Sequence, residues 1–131
     1  MIPCSNRIQE ILEWVNGDCI ADIGCDHAYV VCNAILNHQS KKGYACDVAQ
    51  GPLDNAKKTI EDNELSDFVS CRLLDGIQGL NEDVDQIIIC GMGAKLIIDI
   101  LSKGNLHSGL RFLLSSHKDD FILREYLRDH N

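Results

Sequence analysis

The chain has 131 residues and a net charge of −8, with 45 % hydrophobic and 24 % charged residues. These values fit one globular domain, and no stretch approaches the roughly 20 apolar residues of a membrane span. The acidic balance argues against a domain that holds nucleic acid by phosphate contacts alone, because such domains are usually basic.

The cysteines and the N-terminus indicate a reducing compartment and no metal site. No two of the seven cysteines form a C-x-x-C pair, the spacing typical of zinc ligands. Four of them fall in apolar runs predicted to be strands, where a free thiol behaves as a small buried hydrophobe: Cys19, Cys46, Cys71 and Cys90. The N-terminus lacks the basic segment and apolar run of a secretory signal. We therefore expect a cytoplasmic protein without a metal. Separately, we expect a monomer.

Helical patterns and short apolar strands alternate along the chain. The first helix, NRIQEILEWV, has Ser5 available as its cap, and the strand DCIADIG and the helix AYVVCNAILNHQ follow it. Next come the strand GYACDV, the helix PLDNAKKTIEDN and the strand FVSCRLL. The strand QIIIC, the helix AKLIIDILSK, the strand LRFLLS and a last helix, DDFILREYLRDH, come after them.

This alternation predicts the fold class. Helices between successive strands are typical of βαβ units with right-handed crossovers and a parallel sheet. The sequence therefore predicts a doubly wound, Rossmann-like α/β domain with about five parallel strands, occupying residues 1–131. In such sheets ligands bind beyond the carboxyl ends of the strands, where the strand order reverses. Two glycine turns follow predicted strands and compete for that role.

The later glycine turn, CGMGAKL, contains Gly91 and Gly93 as the first two glycines of a dinucleotide fingerprint. Leu96 stands where the third glycine belongs, and no acidic residue follows the next strand at the expected spacing. A nicotinamide-dependent oxidoreductase that uses Gly91, Met92 and Gly93 is therefore the weaker alternative.

The earlier turn, DIGCDH, has better support, because Gly24 is followed 23 residues later by Asp47 at the end of the second strand. A carboxylate at that place accepts both hydrogen bonds of a ribose. Asp75 and Gly76 follow the third strand and add a polar group to the same rim. One glycine rather than three indicates a cofactor without a pyrophosphate, and an acidic rim suits a cationic sulfonium. S-adenosylmethionine meets both conditions.

Four segments, ADIGCDHAYV, ACDVAQGPLDNA, RLLDGI and ICGMGAKLIIDIL, together resemble the bacterial tRNA (adenine-22-N1)-methyltransferase family in order and spacing. The resemblance runs from about Arg7 to Leu127. It implies a class I S-adenosylmethionine-dependent enzyme that methylates N1 of an adenine in the tRNA D-loop. It also implies the cofactor contacts: Asp22 and Gly24 at the methionine end, Asp47 on the ribose, Asp75 and Gly76 beside the adenine, and Cys90, Gly91 and Met92 near the methyl group.

Departures from the family pattern bear on activity. Cys25 stands where the family typically has a small residue, often Ser, which is a mild change. Ser115, Ser116 and His117 follow the fifth strand, where the family usually has Gln-Pro-Asn on the substrate side. The chain also stops at Asn131, before the family's last two strands and its helical C-terminal domain. An inactive cofactor-binding module is therefore another alternative, and we expect this chain to hold tRNA weakly.

Three residues after the first strand are the candidates for catalysis. Attack by adenine N1 needs no base, so positioning and electrostatics would carry the reaction. Asp26 is the candidate to stabilise the cationic product ring, and His27 and Tyr29 are the candidates to orient the base or stack on it. Each has a structural alternative: Asp26 as the cap of the next helix, His27 as a first-turn residue without a role, and Tyr29 packed on the sheet.

Overall fold

A computed structural model of the chain describes residues 2–75, 79–80, 83–92, 110–116 and 123–128. The helices in these ranges are α1 (Asn6–Leu12), α2 (Tyr29–Leu36) and α3 (Gln50–Asp62). The strands are β1 (Cys19–Ile23), β2 (Lys42–Asp47), β3 (Val69–Leu73), β4 (Gln86–Met92), β5 (Leu110–Ser116) and β6 (Leu123–Arg128). The predicted helix AKLIIDILSK lies outside the described residues.

The strands form one sheet in the order β3-β2-β1-β4-β5-β6. The first five are parallel to their neighbours, and β6 is antiparallel to β5. From β1 the chain proceeds outward to β2 and β3, and it then returns to build β4 and β5 on the other side. The strand order therefore reverses between β1 and β4, which confirms the predicted doubly wound fold and places the switch point at the carboxyl ends of these two strands.

The prediction for the last segment is wrong, because Leu123–Arg128 forms β6 instead of the middle of a helix. The sequence LREYLR fits a helical stripe, yet its residues also alternate in the way an edge strand tolerates. The edge of β5 offers a row of backbone donors and acceptors, and pairing with them outweighs the helical propensity of these residues, which is small per residue. Leu110 pairs with Arg128 and Ser115 with Leu123. The five predicted parallel strands are confirmed, and β6 adds an antiparallel strand at the edge of the described sheet.

The apolar core lies on both faces of the sheet. On one face, α1, α2 and α3 pack against the strands through buried aliphatic side chains such as Ile11, Val31 and Ile60. The opposite face has its own cluster, which includes Ile87 and Phe112. All five residues of β1 are buried, as expected for the central strand of a parallel sheet. Within the described ranges, no helix is long and apolar enough to cross a membrane.

The predicted start of α1 is confirmed, and α3 begins slightly earlier than predicted. The Ser5 side chain accepts a hydrogen bond from the Ile8 N–H at 3.2 Å and caps α1. Helix α3 begins at Gln50, with Pro52 in its first turn, where a missing N–H breaks no intrahelical bond.

A buried glutamine at the start of β4 ties the loop after α1 to the sheet. Gln86 is 0 % exposed. Its Oε1 accepts hydrogen bonds from the backbone N–H groups of Asn16 and Gly17, both at 2.9 Å. Its Nε2 donates to the Trp14 carbonyl at 3.2 Å. Only glycine fits at position 17, because a Cβ there would lie 2.7 Å from the Cβ of Gln86.

Replacement of Gln86 by Met, which has a similar volume, should lower the free energy of unfolding by about 2–3 kcal/mol. The change removes the acceptor shared by two backbone donors, and a buried donor left without a partner costs about 1–3 kcal/mol. Urea unfolding followed by circular dichroism measures the effect. The matched control is Gln50→Met, because Gln50 is exposed on α3 and its Nε2 donates to the Asp54 carboxylate one turn away. Equal unfolding midpoints for the two variants would contradict the role given to Gln86.

Candidate functional site

The chain turns sharply after β1, and one carbonyl of β2 organises this turn. The Cys46 carbonyl accepts hydrogen bonds from the N–H groups of both Gly24 and Cys25, at 2.9 and 3.1 Å. Gly24, Asp26 and Ala28 adopt left-handed φ values of 71°, 48° and 62°. This region favours glycine, tolerates aspartate and is strained for alanine. The Ala28 N–H donates to the Cys25 carbonyl at 2.7 Å, and α2 begins at the next residue.

The helix-cap alternative for Asp26 is wrong. The residue at the N-cap of α2 is Ala28, and no side chain caps that helix. The Asp26 side chain is instead 71 % exposed. Because the turn places Asp26 two residues before the cap, its carboxylate is available for a ligand at the mouth of the site.

A pocket of about 320 Å³ lies at the carboxyl ends of β1 and β4, where the strand order reverses. Its volume falls at the low end of the range of small-molecule sites. The helical side contributes Ser5, Arg7, Ile8, Ile11, Tyr29 and Val30. The strands and the turn contribute Asp22, Gly24, Cys25, Asp26, His27 and Cys90. The pocket therefore brings together the predicted site residues of β1, its turn, α2 and β4.

Asp22 is the buried charge of the site. It is 4 % exposed, and its carboxylate accepts a hydrogen bond from the backbone N–H of Val31. The pKa of Asp22 is raised to about 7, chiefly because burial disfavours the ionised form; the Val31 hydrogen bond opposes this rise and the nearby Asp47 charge adds to it. A cation placed beside Asp22 would favour the ionised form. The position suits a positively charged ligand group.

The three predicted catalytic candidates lie together on the pocket wall. The rings of His27 and Tyr29 stack with centroids 5.3 Å apart and planes 15° from parallel. The Nε2 of His27 lies 3.9 Å from the Asp26 Oδ1. Tyr29 is half-buried and lines the pocket, while His27 and Asp26 are exposed. The arrangement presents an aromatic platform beside a carboxylate, facing solvent.

Asp47 and Asp75 lie farther along the same edge of the sheet and do not line the pocket. Asp47 is half-buried at the end of β2, and its Oδ1 accepts a hydrogen bond from the Ala49 N–H at 3.0 Å. Its carbonyl accepts from Leu74, the residue before Asp75, at 2.9 Å. The two carboxylates thus follow neighbouring strand ends, as predicted. Gly76 falls outside the described residues.

Two apolar side chains beside Asp47 are missing from the sequence prediction. Val48 is 68 % exposed and Leu73, which pairs with Asp47 in the sheet, is 58 % exposed. Large exposed aliphatic groups on a polar rim offer apolar contact to a ligand. The sequence alone does not single out these two residues as ligand contacts, because an apolar residue beside a strand end is common.

Cys90 lines the pocket, but the turn predicted at Gly91 is a bulge within β4. Cys90 pairs with Ser115 and Met92 with Ser116, so Gly91 is the extra residue. A strand that continues through Met92 does not fit a phosphate-binding turn at Gly91, which weakens the nicotinamide alternative. Gly93 lies outside the described residues. Burial, together with the Asp22 charge, raises the pKa of the Cys90 thiol, whereas Arg7 lowers it.

Burial raises the pKa of each of the other six thiols, which disfavours the reactive thiolate form. All seven cysteines are free, and burial raises the pKa of both Cys32 and Cys46 to about 12. In the part of the chain that the structure describes, no group of three or more His, Cys, Asp and Glu side chains is arranged to hold a metal ion.

A doubly wound sheet with a glycine turn after its first strand, an acid at the end of its second and a pocket at the switch point is the arrangement of α/β domains that bind nucleotide cofactors. The chain belongs to the methyltransferase domain family, which matches it over residues 4–131. This match confirms, at the level of the methyltransferase family, the resemblance that the four segments indicated.

Three relatives are similar to the chain over most of its length. It is 37 % identical over 130 residues to the tRNA (adenine(22)-N(1))-methyltransferase of Bacillus subtilis, covering 96 % of this chain and 55 % of that protein. The M. capricolum TrmK structure, in complex with S-adenosyl-homocysteine, is 32 % identical with a TM-score of 0.81, covering 88 % of this chain and 53 % of that one. A putative tRNA methyltransferase of Streptococcus pneumoniae, in complex with S-adenosyl-L-methionine, is 30 % identical with a TM-score of 0.79, covering 90 % and 57 %. The chain therefore spans about half the length of these relatives.

Asp22→Asn should make the stability of the domain less sensitive to pH. The folded-state pKa of Asp22, about 7, lies above its ordinary value, so the wild type loses stability as pH rises toward 7. An asparagine cannot ionise. Relative to wild type, the variant should gain about 2–3 kcal/mol of unfolding free energy between pH 5 and pH 8.

Urea unfolding at both pH values measures this gain, with Asp67→Asn as the control because Asp67 is exposed before β3. A stability difference between Asp22→Asn and wild type that is equal at pH 5 and pH 8 would contradict the buried-acid assignment.

Proposed function

We propose that this chain binds S-adenosylmethionine over the carboxyl ends of β1, β2 and β4 and transfers its methyl group to N1 of an adenine in tRNA. The observation that carries the proposal is the pocket at the switch point, walled by the buried Asp22 and the Gly24 turn. The relatives named above support the reaction and its substrate, since the B. subtilis protein is a tRNA (adenine(22)-N(1))-methyltransferase.

The residues present fit this cofactor. S-adenosylmethionine carries a cationic sulfonium and an ammonium group, and Asp22 supplies a carboxylate whose ionised form a cation would stabilise. Gly24 leaves the backbone of the turn open to close approach. Asp22 and Gly24 would hold the methionine end, while Asp47 would hold the ribose hydroxyls. Asp75 and Gly76 would neighbour the adenine, and Cys90, Gly91 and Met92 would border the methyl group.

The cofactor supplies an electrophilic methyl group, and the protein supplies position and electrostatics. The N1 atom of adenine carries a lone pair, so no residue has to remove a proton before attack. Asp26, exposed at the mouth, would accept a hydrogen bond from the exocyclic amine and stabilise positive charge on the methylated ring. The stacked His27 and Tyr29 rings would orient the base.

Two variants separate cofactor binding from methyl transfer. Asp47→Ala should raise the Kd for S-adenosylmethionine at least tenfold, because hydrogen bonds to a charged group are worth about 1.5–3 kcal/mol. Asp26→Asn keeps a side chain that tolerates the left-handed φ but removes the charge. It should leave that Kd unchanged and lower the rate of transfer to tRNA about tenfold or more.

Isothermal titration calorimetry gives the Kd, and a single-turnover assay with labelled cofactor and excess tRNA at low salt gives the rate. Asp67→Ala is the control for both measurements. An unchanged Kd in Asp47→Ala would overturn the ribose assignment. Cofactor binding by the wild type without any transfer would instead favour the inactive binding module.

The chain itself should bind tRNA weakly and with little dependence on salt. Its net charge is −8, and the cations considered for phosphate contact are few: Arg7, Lys95, Lys118 and Arg124. Each phosphate neutralised adds nearly one to the slope of log K against log salt, so few contacts give a shallow slope. Fluorescence anisotropy at about 50 and about 200 mM salt measures it, with the longer B. subtilis relative in parallel. Tight, steeply salt-dependent binding by the 131-residue chain would contradict the charge argument.

A further inference from the structure

Every second residue of the turn after β1 is left-handed, yet only the first of these three positions is a glycine. Gly24, Asp26 and Ala28 have φ values of 71°, 48° and 62°. A left-handed backbone costs glycine little, whereas in alanine it brings the Cβ too close to the following carbonyl oxygen. Ala28 therefore carries strain that a glycine would remove, and the surrounding structure has to hold it in place.

Three contacts hold Ala28 in this conformation. Its N–H donates to the Cys25 carbonyl at 2.7 Å, and its own carbonyl accepts from the Cys32 N–H at 3.0 Å, at the start of α2. The residue is also 0 % exposed and belongs to the core cluster between the helices and the sheet. A glycine would keep both hydrogen-bonding groups but would lose the packed methyl group, so its backbone would be freer to leave the left-handed region.

The conformation of Ala28 brings together the aromatic rings on either side of it. His27 and Tyr29 are separated by one residue, and residues so spaced do not face each other on a helix. On an extended strand they would lie on one side, roughly 6.5–7 Å apart. Here the ring centroids are 5.3 Å apart and the planes are 15° from parallel. The left-handed residue between them thus allows both rings to form one stack on the pocket wall.

We propose that Ala28 is a positioning residue, whose left-handed backbone fixes the stacked His27 and Tyr29 rings in the orientation that receives the target adenine. This inference rests on the proposed function and concerns the base rather than the cofactor. A base stacks with its plane parallel to an aromatic ring, so a fixed stack restricts the adenine to a geometry from which its N1 can attack. The strain at Ala28 therefore serves the rate of transfer and not the stability of the fold.

Two alanine-to-glycine variants separate this role from a purely structural one. Ala28→Gly removes a buried methyl group and the strain together. Ala34→Gly removes an equally buried methyl group within α2, where the backbone is right-handed and unstrained. Ala34→Gly should therefore lower the urea midpoint of unfolding more than Ala28→Gly, because its added flexibility is not offset by any relief of strain. Circular dichroism follows both transitions.

The transfer rates should fall in the opposite order. Ala28→Gly should lower the single-turnover rate of methyl transfer to tRNA about tenfold or more, while Ala34→Gly should keep the wild-type rate. Both variants should bind S-adenosylmethionine with the wild-type Kd in calorimetry. Nuclear Overhauser effects between the His27 and Tyr29 rings report the stack directly. They should be as strong in Ala34→Gly as in the wild type and weaker in Ala28→Gly.

The failure of this inference is distinguishable from the failure of the proposed function. If Ala28→Gly keeps the ring contacts and the wild-type rate, or does not fold while Ala34→Gly does, the role of Ala28 is overturned and the proposed function stands. A tenfold loss of cofactor affinity in Ala28→Gly would also overturn that role. If the wild type binds the cofactor but transfers no methyl group, the proposed function is overturned, and the ring contacts in the two variants still decide whether Ala28 sets the stack.

Discussion

The site depends on one backbone carbonyl, that of Cys46 at the end of β2. By accepting from both Gly24 and Cys25, it folds the chain that leaves β1 across the end of its neighbour strand. The left-handed φ values of the turn cost free energy. The hydrogen bonds to the Cys46 carbonyl and the bond from the Ala28 N–H to the Cys25 carbonyl hold the backbone in this conformation and offset that cost. Asp22 consequently lies at the floor of the pocket, while Asp26 is held at its mouth.

The burial of Asp22 opposes stability and favours ligand binding. A carboxyl group enclosed by protein prefers its neutral form, and a single hydrogen bond from Val31 does not reverse that preference. A cationic ligand beside Asp22 would stabilise the ionised form that burial disfavours. Acids with strongly perturbed pKa values cluster at functional sites.

Helix α1 forms part of the pocket wall, although it is too short to be stable by itself. A helix of seven residues is marginal by itself, because too few hydrogen bonds offset the cost of nucleation. Its stability comes from the apolar contacts of Ile11 and Leu12 and from the hydrogen bond that the Gln39 Nε2 donates to the Leu12 carbonyl. The amides of Asn33 and Gln86 hold the chain just before and just after the helix, at Ile2 and Trp14. Each amide belongs to a segment that follows α1 in the chain, so the wall exists only once α2 and β4 are in place.

The sequence by itself determined the alternation of strands and helices, the glycine turn after β1 and the carboxylates at the ends of β2 and β3, because these features follow from local periodicity and short spacings. Only the tertiary structure decided that LREYLR pairs with β5, that Gly91 is a bulge, that Asp26 caps no helix and that Arg7 and Asp22 line the same pocket. Each of these outcomes depends on groups distant in the chain: a free strand edge, an unequal pairing register, or a helix fastened by side chains from elsewhere. Local patterns specify which face of an element is buried, but they do not specify which distant partner meets it.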